Sequence, residues 1–139
     1  MEIRLLSPTP LAEQFFRRNL LAVPGVCTPG LYIAEAGCLA PLLPAGSLLL
    51  ADPDAIVPQG VQTVTCGFSS KDTFTFSSKS EDSAVVSLMR TVALPQWAAE
   101  PMELPVGFPS GTADFFVLAA AAALILTGQA ACREKICFR

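Results

Sequence analysis

Residues 46–67 read GSLLLADPDAIVPQGVQTVTCG, and this stretch decides the fold class. Its first run, residues 47–51, lacks polar alternation, which is typical of a strand covered on both faces. Pro53 ends that strand because proline cannot donate a hydrogen bond to a sheet. A second β-rich run, residues 61–66, stops at Gly67. Two buried strands that each end in a polar loop predict an open α/β sheet, with ligands bound at the carboxyl ends of the strands.

The composition favours one domain with a large core. The chain has 139 residues, of which 52% are hydrophobic and 15% charged, enough to bury a core without disulfides. Apolar side chains left on the surface of such a domain often mark a partner interface. The net charge of −3, without a cluster of lysine and arginine, argues against nucleic acid. The first four residues lack the pattern of a secretion signal, so we expect a cytoplasmic protein.

The sequence contains no histidine and five cysteines. The absence of histidine removes Ser-His-Asp and Cys-His nucleophilic systems together with imidazole acid–base catalysis. An odd number of cysteines without a secretion signal indicates reduced thiols. Cys132 and Cys137 are spaced more widely than in a zinc knuckle, and no histidine completes a site. We therefore expect no metal site.

Periodicity predicts the other elements. Before residue 46 it predicts a strand over 2–6, a helix from Pro10 to about Leu21 capped by Thr9, a brief strand at about 25–28 and a short helix over 34–43. After Gly67, strands over about 73–77, 84–91 and 102–106 form an antiparallel meander. A helix over 113–127 follows, and its apolar run, 115–126, is shorter than the roughly 20 residues that cross a bilayer. We expect this helix in the core and no membrane association.

Together these elements predict one α/β domain over residues 1–139. Its expected fold is an open mixed sheet with flanking helices and a three-stranded antiparallel meander before a C-terminal alanine-rich helix. Its expected parts are an α/β portion over 1–70, the meander over 71–108, a packing helix over 109–128 and a tail over 129–139.

A succession of short motifs runs from about Leu39 to Gly128. The motifs are Leu42-Leu43-Pro44, the turn from Leu50 to Asp54, the turn from Val64 to Gly67, the strand Glu103–Val106 and the alanine-rich run 118–124. This succession resembles the carboxyl-terminal part of the central domain of the Mur ligases, the ATP-dependent amino-acid ligases of cell-wall synthesis.

The resemblance implies the fold of the family without its catalysis, so we expect no cofactor and no enzymatic activity. The family's glycine-rich phosphate loop, its magnesium-binding histidine and glutamate and its modified lysine have no counterparts here. The family's turn asparagine falls on Leu50, and the paired asparagines near the nucleotide base fall on Ala113 and Phe116. A fold alone licenses no function.

Two strand-end loops hold the candidate ligand-binding residues. Asp52 and Asp54 can ligate Mg²⁺ with a third oxygen donor, but Asx turns around Pro53 explain them more simply. Ser69, Ser70 and Lys71 can cradle an anion or form a serine–lysine pair, whereas a solvated turn is the plainer interpretation. If the two loops converge on one cleft, a protein that binds a small molecule, a nucleotide or another anion is favoured.

Four aromatic residues near the last helix are candidate interface residues: Trp97, Phe108, Phe115 and Phe116. If exposed, they would anchor a protein partner; core packing is the alternative. A truncated sheet also exposes an edge and an apolar face, which a partner or a second copy in a homodimer would cover. The first hypothesis is therefore a non-catalytic interaction or scaffolding module, and the second is the anion-binding protein.

Overall fold

The first sheet consists of five parallel strands. They are β1 (Ile3–Leu6), β2 (Val23–Pro24), β3 (Leu31–Ala34), β4 (Leu48–Ala51) and β5 (Gln62–Thr65). Their spatial order is β2-β1-β3-β4-β5, so the winding direction reverses between β1 and β3. The computed structural model that gives this arrangement describes residues 2–26, 28–130 and 135–139.

The register of the parallel strands divides their side chains between two buried faces. On one face, Leu48 and Leu50 lie beside Leu31 and Ile33 in the larger core cluster. On the other face, Leu49 packs with Tyr32, Ala34 and Leu6 in a second cluster. Because β4 lies between neighbours and both of its faces are covered, its continuous apolar run is what a central parallel strand requires.

Helix α1 (Pro10–Leu20) follows β1 and packs on the face of the larger cluster. Thr9 caps it, because its Oγ1 accepts a hydrogen bond from the amide of Ala12 at 3.3 Å. The helix ends where Leu21 adopts a left-handed conformation with φ of 55°. Its buried side chains are Ala12, Phe15, Phe16 and Leu20.

The second sheet has four strands. They are β6 (Phe74–Lys79), β7 (Ser83–Leu88), β10 (Met102–Gly107) and β11 (Ile136–Cys137), and a small hairpin of β8 (Val92–Ala93) and β9 (Ala98–Ala99) lies between β7 and β10 along the chain. The strands β6, β7 and β10 pair antiparallel, and β11 is parallel to β10. A parallel bridge between Cys66 and Phe74 joins this sheet to the end of β5.

Helix α2 (Asp114–Leu126) lies between the two sheets and contacts α1, β4, β6 and β7. All ten residues from Val117 to Leu126 are buried, and five of them are the alanines at 119–123. A methyl side chain adds little width to a helix, so α2 approaches elements on several sides at once. The chain therefore has an α/β fold with mixed sheets wrapped around a buried helix.

Two predicted elements are wrong. Residues 34–43 form no helix: β3 ends at Ala34, Gly37 adopts φ of 79°, and Leu39 forms a parallel bridge with Ile56. Pro41 and Pro44 cannot donate the hydrogen bonds that a helix needs there. The brief strand expected at about 25–28 is instead β2, which ends at Pro24; Cys27 lies outside the described residues.

Two further expectations differ from the structure. The stretch 26–33, which the sequence leaves ambiguous, leads into the central strand β3, which begins at Leu31 and ends at Ala34. The expected tail, 129–139, contributes β11 to the second sheet, with Ile136 beside Val106; Cys132 lies outside the described residues. The single open sheet is in fact two sheets that are joined at the Cys66–Phe74 bridge.

A larger side chain on α2 tests whether this helix is closely packed between the two sheets. Ala120 is fully buried, so we expect Ala120→Leu to destabilise the protein by about 1–3 kcal/mol through overpacking. The matched control is Ala98→Leu, since Ala98 is exposed on β9. Urea unfolding followed by circular dichroism measures both. Equal stability of the two variants would contradict the close packing of α2.

Candidate functional site

The two loops with predicted ligand-binding residues lie against each other at the carboxyl ends of β4 and β5. A Cβ atom added to Gly67 would lie 2.7 Å from Cγ of Pro53 and would overlap the carboxylate of Asp72. Glycine is therefore required at position 67 by the close approach of the loops. The contact places Pro53, which lies between Asp52 and Asp54, against the loop that holds Ser69, Ser70 and Lys71.

The two aspartates form a turn. Oδ1 of Asp52 accepts a hydrogen bond from the amide of Asp54 at 2.9 Å, and the carbonyl of Asp52 accepts from the amide of Ala55 at 2.9 Å. This is the Asx turn that the sequence offers as the simpler alternative. One carboxylate is thus committed to the backbone, and the side chain of Asp54 is exposed.

The loop that follows β5 is also closed by its own polar groups. The carboxylate of Asp72, only 4% exposed, accepts a hydrogen bond from the amide of Ser69 at 3.0 Å. Oγ of Ser69 accepts from the amide of Lys71 at 3.2 Å. The hydroxyl of Ser69 and the amides of Ser69 and Lys71 are therefore engaged within the loop, whereas the side chains of Ser70 and Lys71 are exposed.

Arg90 holds this loop from outside. Its guanidinium donates to the carbonyl oxygen of Lys71 at 2.6 Å and to that of Ser70 at 2.9 Å. The sequence interpretation missed both Arg90 and Asp72. The spacing Ser69-x-x-Asp72 is a local signal for the carboxylate, but Arg90 comes from the end of the distant strand β7 and carries no such signal.

Cys66 lies beneath the two loops and is fully buried. Burial raises the pKa of its thiol far above the ordinary value, and the nearby carboxylates of Asp72 and Asp52 raise it further. Burial, followed by the charge of Glu35, also raises the pKa of Cys38. Both raised pKa values disfavour the thiolate, which is the reactive form of cysteine.

The crevice between β1 and β3 is occupied by a carboxylate of the chain itself. Sheets with this strand order bind ligands where the winding reverses. At that point Glu35 accepts hydrogen bonds from the amide of Thr9 at 2.9 Å and from its Oγ1 at 3.1 Å. A carboxylate at the first turn of α1 also suits the helix dipole. The usual anion position is therefore filled by Glu35, which the sequence interpretation also missed.

The four predicted interface residues do not all lie on one surface. Phe108 is buried in the core. Phe115 and Phe116 are half-buried at the beginning of α2, where the ring of Phe116 stacks 5.6 Å from that of Phe15. Trp97 is 44% exposed and lines a cleft with Leu126, at the other end of the helix. They do not form one anchor.

A different set of apolar side chains is exposed, on the segments that cover the second face of the parallel sheet. Leu39 is 72% exposed, Leu42 82% and Ile56 61%, and Val57 follows Ile56. Leu39 and Ile56 are bridge partners, so the two segments present them side by side. We call these four residues the apolar patch.

The described residues contain no group of three or more cysteine, aspartate or glutamate side chains placed to hold a metal ion. In the same part of the chain, neither helix has the length and apolar character needed to cross a membrane.

The contact between the loops predicts the effect of a methyl group at position 67. We expect Gly67→Ala to destabilise the protein by about 1–3 kcal/mol, because the new atom would overlap Pro53 and Asp72. Ser70→Ala, in the same loop but exposed, is the control and is expected to change little. Thermal unfolding of both variants checks this; an unchanged midpoint for Gly67→Ala would show that the loops are not in contact.

Thiol labelling tests the raised pKa values. At pH 8 we expect iodoacetamide to modify the exposed Cys137 and to leave Cys38 and Cys66 unmodified, because these two are buried and neutral. Peptide mass spectrometry assigns the modified sites, and labelling in urea, where all three react, is the control. Rapid labelling of native Cys66 would be inconsistent with a buried thiol.

No family model, no curated protein and no solved structure matches the chain.

Proposed function

We propose that this chain is a non-enzymatic, Mur-ligase-like interaction module that acts in the cytoplasm and associates with a second copy of itself or with a partner protein. The observation that carries the proposal is the apolar patch. Side chains of Leu39, Leu42 and Ile56 that are 61–82% exposed cost free energy in water, and covering them with another protein surface recovers about 25 cal/mol for each Å² of apolar area.

The composition of the two segments around the patch supports the same function. Residues 36–51 and 55–70 contain no charged side chain. Protein interfaces are depleted of charge at their centre. The nearest carboxylates along the chain, Glu35, Asp52 and Asp54, lie at the carboxyl edge of the sheet and are suited to a polar rim.

The hydrogen bonds within the polar loops argue against catalysis as the main function. The hydroxyl of Ser69 and the carboxylates of Asp52 and Asp72 accept hydrogen bonds from backbone amides. The thiol of Cys66 is neutral. An activated nucleophile needs a neighbouring base or a lowered pKa, and the contacts of these groups supply neither.

Solution mass tests the proposal. We expect light scattering over a concentration series to show reversible association, and Leu39→Ser combined with Ile56→Ser to weaken it about tenfold or more, since each replacement removes an apolar contact. The matched control is Leu21→Ser, because Leu21 is 88% exposed but lies at the end of α1. A wild-type monomer at all concentrations, with no partner retained from the native host, would refute the proposal.

One observation favours the alternative of anion binding: the loops at 52–54 and 66–73 are in contact. The side chain of Lys71 in this loop is exposed, and its ammonium makes no ion pair in the described part of the chain. Under this alternative, inorganic phosphate raises the unfolding temperature of the wild type, and Lys71→Ala abolishes that rise. Under the interaction proposal, phosphate leaves the unfolding temperature of both proteins unchanged.

A further inference from the structure

A second surface lies on the opposite side of the parallel sheet from the apolar patch. It is an open groove of about 320 Å³ between α1 and the loop that precedes α2. Three residues of α1, Leu11, Phe15 and Arg18, lie three or four positions apart and line one wall. The loop 109–113 and Phe116 line the other wall, and Arg139 lies with them. We call this surface the α1 groove.

The apolar part of the α1 groove is preformed. The rings of Phe15 and Phe116 stack 5.6 Å apart, and Phe116 also meets Phe16 at 5.5 Å. Leu11 is 71% exposed beside them. Rigid aromatic rings next to an exposed leucine form the kind of surface that receives an apolar side chain of a partner.

The charged part of the groove consists of two arginines. The ion pairs in the described part of the chain use the other cations Arg4, Arg17 and Lys79, so the guanidiniums of Arg18 and Arg139 are in no ion pair there. Asn19 fixes the backbone of Arg139, because its side chain accepts from the amide at 2.8 Å and donates to the carbonyl at 2.9 Å. Arg139 is therefore held beside α1.

Three carboxylates of the described residues near the groove are already engaged by other groups. Glu13 pairs with Arg17, and Asp114 pairs with Lys79. Glu81 accepts a hydrogen bond from Ser110 at the rim of the groove at 2.6 Å. Among the described residues, no aspartate or glutamate side chain lines the groove itself. The whole chain carries a net charge of −3. At physiological ionic strength, however, salt screens the interaction between exposed charges that lie farther apart than the Debye length of about 8 Å. The two arginines in the groove therefore dominate the electrostatic attraction of a ligand there.

From these observations we propose that the α1 groove binds an acidic peptide segment of a partner protein, in which carboxylates flank a leucine or phenylalanine. The carboxylates meet Arg18 and Arg139, since guanidinium groups match carboxylates in bidentate geometry. The apolar side chain meets Leu11, Phe15 and Phe116. This site is distinct from the apolar patch, so it can fail while the proposed self-association stands.

Fluorescence anisotropy with a labelled probe peptide tests this site. The probe is a short peptide with a central Leu-Phe pair flanked on both sides by glutamates, and its partner probe has glutamines in place of the glutamates. We expect saturable binding of the acidic probe to the full chain at low salt. Raising the salt from about 0.05 M to about 0.5 M should weaken binding, because the charges are exposed.

Three variants assign the binding to the groove. We expect Arg18→Gln and Arg139→Gln each to lower the affinity for the acidic probe about two- to fivefold, as is typical of exposed charge pairs. The control is Arg17→Gln, the neighbour of Arg18 that pairs with Glu13, and it should bind as the wild type does. The glutamine probe should bind weakly to all of them.

Three results would overturn the proposal. They are absence of binding up to millimolar probe, equal binding of the two probes, and an effect of Arg17→Gln as large as that of Arg18→Gln. Solution mass measured on the same variants separates the two proposals, because neither arginine lies in the apolar patch.

Discussion

The burial of α2 between two sheets is the constraint on which the rest of the structure depends. Ten successive residues of this helix are buried, and the five alanines in the middle leave it narrow enough to contact α1, β4, β6 and β7. Because a fully buried helix needs apolar neighbours on every side, both sheets direct apolar side chains toward it. The larger core cluster therefore includes residues of both sheets and both helices.

Helices α1 and α2 both lie on one face of the parallel sheet. The other face is covered by segments without regular secondary structure. Residues 35–47 and 52–61 cover Tyr32, Leu49 and the other members of the second cluster without forming a helix. Such segments are too thin to bury their own outward side chains. The exposure of Leu39, Leu42 and Ile56 is thus a direct consequence of how that face is covered.

At the polar edge of the parallel sheet, by contrast, the polar groups form hydrogen bonds with one another. Glu35 meets Thr9, Asp52 meets the amide of Asp54, and Asp72 meets the amide of Ser69. A position that suits a ligand in other sheets of this order is filled here by side chains of the chain itself. The apolar patch and the α1 groove lie away from this polar edge, and both expose apolar side chains.

The sequence by itself determined the local features. The apolar run at β4, the alternation in β6, the Thr9 cap and the turn at Asp52 were predictable because each depends on residues close together in the chain. The absence of a helix over 34–43, the central position of β3 and the strand β11 were decided by pairing with distant segments. The engagement of Glu35, Arg90 and Asn19, and the separation of Trp97 from Phe116, were decided in the same way. Only the tertiary structure fixes which distant groups meet, because hydrogen bonding and burial depend on spatial neighbours that the order of residues does not specify.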